Sequence, residues 1–546
     1  MNNAAQPWWK SAVIYQIYPR SFMDANGDGM GDLPGVISKL DYLADLGIDA
    51  IWLSPVFRSP QDDNGYDVSD YRDIDPLFGT LADMDRLIAG AKKRGIRIIL
   101  DMVLNHSSDE HRWFTEAKKS RDNPYHDYYI WRDGKPDMPP NDMLSSFGGS
   151  AWEWVPALGQ YYFHQYSVKQ PDLNWENPAL RQELYQILRW WADRGVGGFR
   201  LDVVDHFGKE PDKKIRVAGP RLHEYIRELS SEVLRGKELV TVGEAWSATP
   251  ESAKLYSNPD GSELSMVFQF EHIKLDRMPG RENRALVPLP FLQFKQVLSR
   301  WQTELYEKGW NSLFWENHDL PRCVSRWGDD GKHRVECAKM LAVLLFGMQG
   351  TPYVYQGQEL GMTNADYALE DYRDIGVSNH IREMRADGFS EEEILYSLHT
   401  TSRDNARTPM QWSTAENAGF TAGKPWIRVN PNYLDINAAA QQADPDSVWH
   451  CYRKLIALRR QHPVFQRGYF ELLLEKDEAL FAYTRTDTNN RLLVLCNFYG
   501  EEIDDPLYSE SAEWDLLFVN YPGISEPRKL RPYEARIYIG ACEKEE

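Results

Sequence analysis

Three acids, Asp202, Glu244 and Asp319, stand at the ends of short hydrophobic runs: GGFRLD (197–202), LVTVGE (239–244) and SLFWENHD (312–319). The runs are rich in β-branched and aromatic residues and read as buried strands. An unpaired acid is costly at a buried strand end, so a single one is ordinarily a structural ion-pair partner. Three of them, each in a distinctive motif, point to chemistry. Cleaving a glycosidic bond needs a proton for the leaving oxygen and a nucleophile for the anomeric carbon. Two carboxyl groups about 5–5.5 Å apart supply both with retention of configuration. A nucleophile must be ionised, and Arg200 lies two residues before Asp202, on the same face of a strand. An acid must be protonated, which an apolar setting favours, and Glu244 sits in Val-Gly-Glu-Ala-Trp. Asp319 follows Asn317 and His318, both able to hydrogen-bond sugar hydroxyls.

Such acids need strands that converge. Eight strand segments are expected, at 12–18, 50–55, 96–104, 197–204, 238–244, 264–271, 311–319 and 351–359, with helical stretches between them. In 36–47 the apolar residues Val36, Ile37, Leu40, Leu43 and Leu46 share one face, and Gly47 supplies a stop. A second helix opens at Asn177-Pro178 and closes at Gly195. Eight βα repeats are best satisfied by an α/β fold, a closed (β/α)8 TIM barrel with chemistry at the carboxyl ends of its strands, rather than by an open doubly wound sheet.

Two regions break the repeat. Residues 105–174 are rich in Trp, Tyr, Asp, Pro and Gly and too long for a structureless loop. They read as an inserted domain between barrel segments 1–104 and 175–467. After a helix at 447–461, alternating runs such as 480–486 and 491–499 indicate a C-terminal antiparallel β-sandwich domain over 468–546. A further insertion, about 364–415, carries RDNARTPMQW.

The net charge of −20, from 62 basic and 82 acidic residues, argues against nucleic acid or an anionic membrane surface as partner. Nineteen Trp and 29 Tyr supply core area and flat faces suited to sugars. Five scattered Cys without a CxxC pair suit a reducing compartment. The N-terminal MNNAAQPWWK has no signal-peptide pattern, and no run approaches the ~18–20 apolar residues of a membrane span. A cytoplasmic monomer is expected.

Together YDVSDY (66–71), DMVLNH (101–106), GFRLDV (198–203), GEAW (243–246) and ENHD (316–319) make the chain resemble the α-amylase family of glycoside hydrolases along essentially its whole length. Within it the likeness is to the branch of oligo-1,6-glucosidases and dextran glucosidases, through WWKSAVIYQIYPRSF (8–22), QPDLNWENP (170–178), MVFQFEH (266–272) and RDNARTPMQW (403–412). The resemblance implies Asp202 as nucleophile, Glu244 as general acid/base and Asp319 as the acid that strains the sugar. It implies Asp67 and Arg403 as the grip on the terminal glucose, which makes the enzyme exo-acting, with Tyr66, His106, Arg200 and His318 lining the same subsite. The residue after the nucleophile is similar to a linkage switch in this branch, Val going with α-1,6 and Ala or Thr with α-1,4. Here it is Val203.

The stretch DANGDGMGD (24–32) spaces oxygen ligands at Asp24, Asn26, Asp28 and Asp32, with the Met30 carbonyl between. This copies the first part of a calcium loop, but position twelve is Gly35 rather than Glu, so it is no EF-hand. The resemblance implies a structural calcium; an empty turn or a magnesium site is the alternative.

The expected activity is release of glucose from non-reducing ends of isomaltooligosaccharides or dextran fragments. The alternatives are an α-glucosidase of other linkage (α-1,4 or sucrose), a sucrose isomerase or transglucosidase, a trehalose-6-phosphate hydrolase, and a non-catalytic subunit. Sucrose isomerases carry an Arg-Leu-Asp-Arg segment beyond the third acid, where this chain reads Leu320-Pro321-Arg322-Cys323-Val324-Ser325-Arg326. Non-catalytic members lose an acid and carry a membrane anchor; neither applies to this sequence.

Overall fold

Eight parallel strands form the centre of the computed structural model, which describes residues 6–278 and 286–542. They are β1 (Ile14–Ile17), β2 (Ala50–Leu53), β3 (Arg97–Met102), β4 (Gly198–Leu201), β5 (Val240–Glu244), β6 (Met266–Phe268), β7 (Ser312–Leu313) and β8 (Thr351–Tyr355). Each pairs with its neighbour in sequence, β8 pairs with β1, and a parallel bridge from Val267 to Asn311 links β6 to β7, so the sheet closes. All eight expected segments hold a strand, and every residue of the β1, β2, β4, β5 and β8 strands is buried. This is the (β/α)8 barrel.

The helix at Pro178–Arg194 has the expected ends. Asn177 accepts hydrogen bonds from the N–H groups of Ala179 and Leu180, Pro178 opens the first turn, and Gly195 (φ 103°) closes the last. The helix expected over 36–47 is instead two, Leu33–Ser38 and Leu40–Leu46, separated at Lys39 (φ −105°, ψ 6°). Gly47 still caps the second with φ 98°. The helical period survived the break because both pieces bury the same apolar face.

Between β3 and the Pro178 helix lies a three-stranded antiparallel sheet, Trp131–Asp133, Gln160–Phe163 and Trp152–Val155. Beyond β8, helices Val377–Ala386 and Glu391–Thr401 form a hairpin. Asn379 Nδ2 donates to the Phe147 carbonyl at 3.1 Å, so the two extra segments meet. At the C-terminus, five antiparallel strands run from Tyr469 to Ala541. One face, with Phe481, Tyr483, Leu492 and Val494, joins the main core; the other, with Leu480, Ala482, Leu493 and Leu495, packs under 503–530. No helix among the described residues is long and apolar enough to cross a membrane. The N-terminal pentapeptide lies outside the described residues.

Candidate active site

Strand register puts the first two acids side by side. In the β4–β5 ladder Leu201 pairs with Gly243, so Asp202 and Glu244 are the next residues along on neighbouring chains. Adjacent strands lie about 4.8 Å apart, and paired positions in a parallel sheet point to one face. Arg200 lies between them: its Nη1 donates to Asp202 Oδ1 at 2.8 Å and its Nη2 to Glu244 Oε2. The same Nη1 reaches Asp101 Oδ1 at 2.8 Å, because Asp101 of β3 is the in-register partner of Arg200. One buried guanidinium therefore serves three carboxylates. Burial, then Glu244 and Asp101, push Asp202 well above the usual carboxylate range, against the pull of Arg200. Burial likewise raises Asp101, to about 6. Glu244 is not in the apolar setting its neighbours in sequence suggested. Trp246 Nε1 donates to its Oε1 at 2.8 Å, and Arg200 holds the other oxygen.

Val203 turns the chain sharply after Asp202. Its φ of 35° and ψ of 51° are left-handed, a conformation in which a β-branched residue is strained by about 1–3 kcal/mol. Its N–H points at Glu244 Oε2, 3.4 Å away.

Asp319 is not at a strand end. Strand β7 stops at Leu313, and five residues of irregular chain carry Asp319 to the rim. There Arg407 Nη2 donates to its Oδ1 at 2.8 Å, Arg403 Nη1 approaches the same oxygen at 3.2 Å, and His318 Nε2 lies 3.2 Å from Oδ2. Burial alone would raise its pKa; His318, Arg403 and Arg407 outweigh that and hold it well below the ordinary range. Its side chain is still 25% exposed, so the site is open at this acid.

His318 is pushed down to about 3 by burial and is neutral at pH 7. Gln16 Nε2 donates to its Nδ1 at 2.8 Å, which leaves the proton on Nε2, facing Asp319 and the Tyr66 hydroxyl 2.6 Å away. Tyr66 stacks on the ring (5.4 Å, 5°) and donates to Asp101 Oδ2 at 3.0 Å. His106 is also buried and lowered to about 4, held by the Tyr66 carbonyl at 3.0 Å. Tyr66, Arg200, His318, Arg403 and the three acids thus form one connected network.

Asp67 is not part of it. It is fully buried, and its oxygens accept from Ser59 Oγ and from the N–H groups of Asp62 and Asp63. It folds the 59–63 turn. The acid that turn presents is Asp63, 3.5 Å from Arg403 Nη2 and raised by burial to about 6. The sequence held a signal for it: Asp63 stands three residues before Tyr66, just ahead of the YDVSDY motif.

Loop 24–32 lies apart from these acids in sequence and contacts. Asp24 Oδ1 accepts from the N–H groups of Asn26 and Gly27, and Oδ2 from Gly29. Asp32 caps helix Leu33–Ser38 through the Gly35 N–H. A Cβ at Gly35 would meet the Met23 carbonyl oxygen at 1.9 Å, so no Glu can stand at that position.

A cavity of about 1110 Å³ lies elsewhere, lined by Pro7, Trp9, Lys237, Tyr306 and Asn490.

A closed barrel whose rim gathers paired carboxylates round one arginine defines an acid–base barrel enzyme. The profile of the α-amylase catalytic domain matches residues 16–468, and the chain belongs to that family of glycoside hydrolases. It is 50% identical over 558 residues to the oligo-1,6-glucosidase of Halalkalibacterium halodurans, covering 98% of this chain and 99% of that protein. To the glucan 1,6-alpha-glucosidase of Streptococcus pneumoniae serotype 4 it is 52% identical over 535 residues, covering 97% and 98%. The solved structure of Bacillus licheniformis trehalose-6-phosphate hydrolase matches with a TM-score of 0.94 and 47% identity, covering 98% of this chain and all of that one.

Proposed function

We propose that this chain is an exo-acting, retaining α-1,6-glucosidase that releases glucose from the non-reducing ends of isomaltooligosaccharides or dextran fragments. The observation that carries it is the Leu201–Gly243 register, which brings Asp202 and Glu244 together on neighbouring strands. That spacing suits the about 5–5.5 Å of a retaining pair, not the wider gap that admits a water. Asp202 attacks the anomeric carbon while Glu244 protonates the leaving oxygen, giving a glycosyl-enzyme. Glu244 then takes a proton from water as that water attacks the same carbon, and Asp202 leaves as a carboxylate. Asp319, kept ionised by its arginines, accepts hydrogen bonds from ring hydroxyls that strengthen as the ring flattens. Asp63 and Arg403 take the grip on the terminal glucose, in place of Asp67.

The α-1,6 preference rests on Val203 and on two of the similar proteins, which are 1,6-glucosidases by name. Isomerisation is disfavoured by the segment after Asp319. Arg322 is buried against Glu316 at 3.0 Å, and Arg326 against Asp276 at 2.7 Å, so neither arginine faces an acceptor. A turnover panel of isomaltose, isomaltotriose, dextran, panose, maltose, sucrose and trehalose-6-phosphate tests the reading. Isomaltose-type substrates should lead, with glucose released first as the α-anomer; preference for maltose or trehalose-6-phosphate, or release of the β-anomer, overturns it.

Calcium in loop 24–32 is part of the same reading. The donors are all hard oxygens, and among the described residues no ion pair engages Asp24, Asp28 or Asp32. Burial, followed by crowding from Asp24 and Asp28, raises Asp32. No cluster of three His, Cys, Asp or Glu among the described residues forms a metal cage. The set therefore depends on the Asn26 amide oxygen and the Met30 carbonyl as well as the acids. A bound ion would offset most of the loop's negative charge and stabilise it, with no part in bond cleavage. The five free thiols suit the cytoplasm, and a monomer is proposed.

A further inference from the structure

Two arginines on one short helix of the post-barrel segment face one acid, which is an unfavourable arrangement unless something else balances them. Arg403 and Arg407 are four residues apart around helix Asp404–Arg407, and both reach Asp319 Oδ1. Like charges so close repel. The balancing charge is Asp374, an acid with its side chain 8% exposed, in the chain between β8 and the helical hairpin. Its Oδ2 accepts from Arg403 Nε at 2.7 Å and from Arg407 Nη1 at 3.0 Å, while Oδ1 accepts from the Gly376 N–H at 2.8 Å. The N–H groups of Arg373 and Asp374 donate to Asp404 Oδ2 at 2.6 and 2.9 Å, which fixes the backbone that carries the carboxylate. Two acids and two arginines therefore alternate in a closed ring, with Asp63 attached at Arg403.

We propose that Asp374 is a positioning residue that sets the affinity of the site for the terminal glucose, by holding Arg403 and Arg407 together against Asp319. It deepens the glucosidase reading and rests on it for the identity of the sugar. Asp319 cannot alone orient both guanidiniums, because it is partly exposed and offers both of them one oxygen. Without the charge at 374, Arg403 is left between Asp319 and Asp63 and loses the bond at Nε that fixes the direction of its guanidinium. The acid that meets the sugar then loses its fixed direction, while Asp202, Glu244 and Arg200 keep theirs.

The test is Asp374→Asn, which keeps the shape, removes the charge and turns one acceptor into a donor. Glucose binding by calorimetry and inhibition by glucose should both weaken about tenfold to a hundredfold, the cost of a misplaced binding group. For p-nitrophenyl α-glucoside KM should rise and kcat should fall with it, because the Asp319 hydrogen bonds strengthen as the ring flattens. Asp374→Glu, which keeps the charge, should recover part of the lost affinity. Asp371→Asn is the control, because Asp371 ties the same segment to Arg428 at 3.3 Å without touching either site arginine. Unchanged glucose affinity in Asp374→Asn overturns the proposal; so does an equal loss in Asp371→Asn, or a Glu variant no better than Asn. Should the wild-type protein cleave maltose but not isomaltose, the linkage reading falls while the glucose comparison still decides the role of Asp374.

Discussion

At the scale of single residues, the site is a contest between burial and a small number of cations. Burial raises Asp202, with Glu244 and Asp101 adding to it, and Arg200, which serves all three acids at once, only partly offsets that. The proposed nucleophile must be ionised, so activity is expected above that raised pKa and should be lost as pH falls through it. The acid limb of kcat/KM should therefore lie above the ordinary Asp value of about 3.9; a limb at or below that value contradicts the electrostatic account. Asp202→Ala should cut kcat by roughly four orders of magnitude or more with the fold intact, checked by turnover and circular dichroism. Val203 carries both strain and the proposed linkage preference. Val203→Ala should raise the ratio of maltose to isomaltose hydrolysis, measured as relative kcat/KM, and an unchanged ratio removes Val203 from the specificity argument. Asp67 and Asp63 show the limit of reading at this scale. The two acids are four residues apart, and only the direction of the 59–63 turn decides which faces the arginines.

At the scale of elements, strand register does more than strand content. Residue types told where β4 and β5 run, and their pairing brings Asp202 beside Glu244. The third acid depends on irregular chain beyond a strand of only two residues, β7, and periodicity has no hold on such a stretch. Loop 24–32 is an element of the other sort, a turn held by its own carboxylates. If it takes calcium, a chelator should lower Tm. An ion present at a hundred times its Kd contributes about 2.7 kcal/mol; a melting curve indifferent to chelator and to added calcium counts against occupancy.

At the scale of the whole molecule, the barrel must hold its added segments in place over the rim. Lys209, buried after β4, does this through three acceptors: Asp172 of the inserted region at 2.9 Å, and the side-chain oxygen and carbonyl of Asn105 beyond β3 at 2.5 and 3.3 Å. Replacing it leaves a buried carboxylate unpaired. Lys209→Met should cost about 3–5 kcal/mol of stability, read from urea unfolding, and a loss under about 1 kcal/mol would mean the ion pair is not what ties the parts.

Sequence by itself determined the barrel, because eight β-rich runs separated by helical lengths have few closed solutions, and it determined the chemistry class, because acids, Arg200 and the histidines occur in short fixed motifs. It also determined that the calcium-like loop is no EF-hand, since Gly35 stands where a Glu would be needed. Only the tertiary structure decided which acid meets Arg403, that Glu244 sits on a guanidinium, and that Asp374 balances two arginines across the site. The physical reason is range. Strand and helix preferences act over a few residues, whereas the pairs Asp63–Arg403, Arg200–Glu244 and Asp374–Arg403 join positions 340, 44 and 29 residues apart, and no local pattern records them.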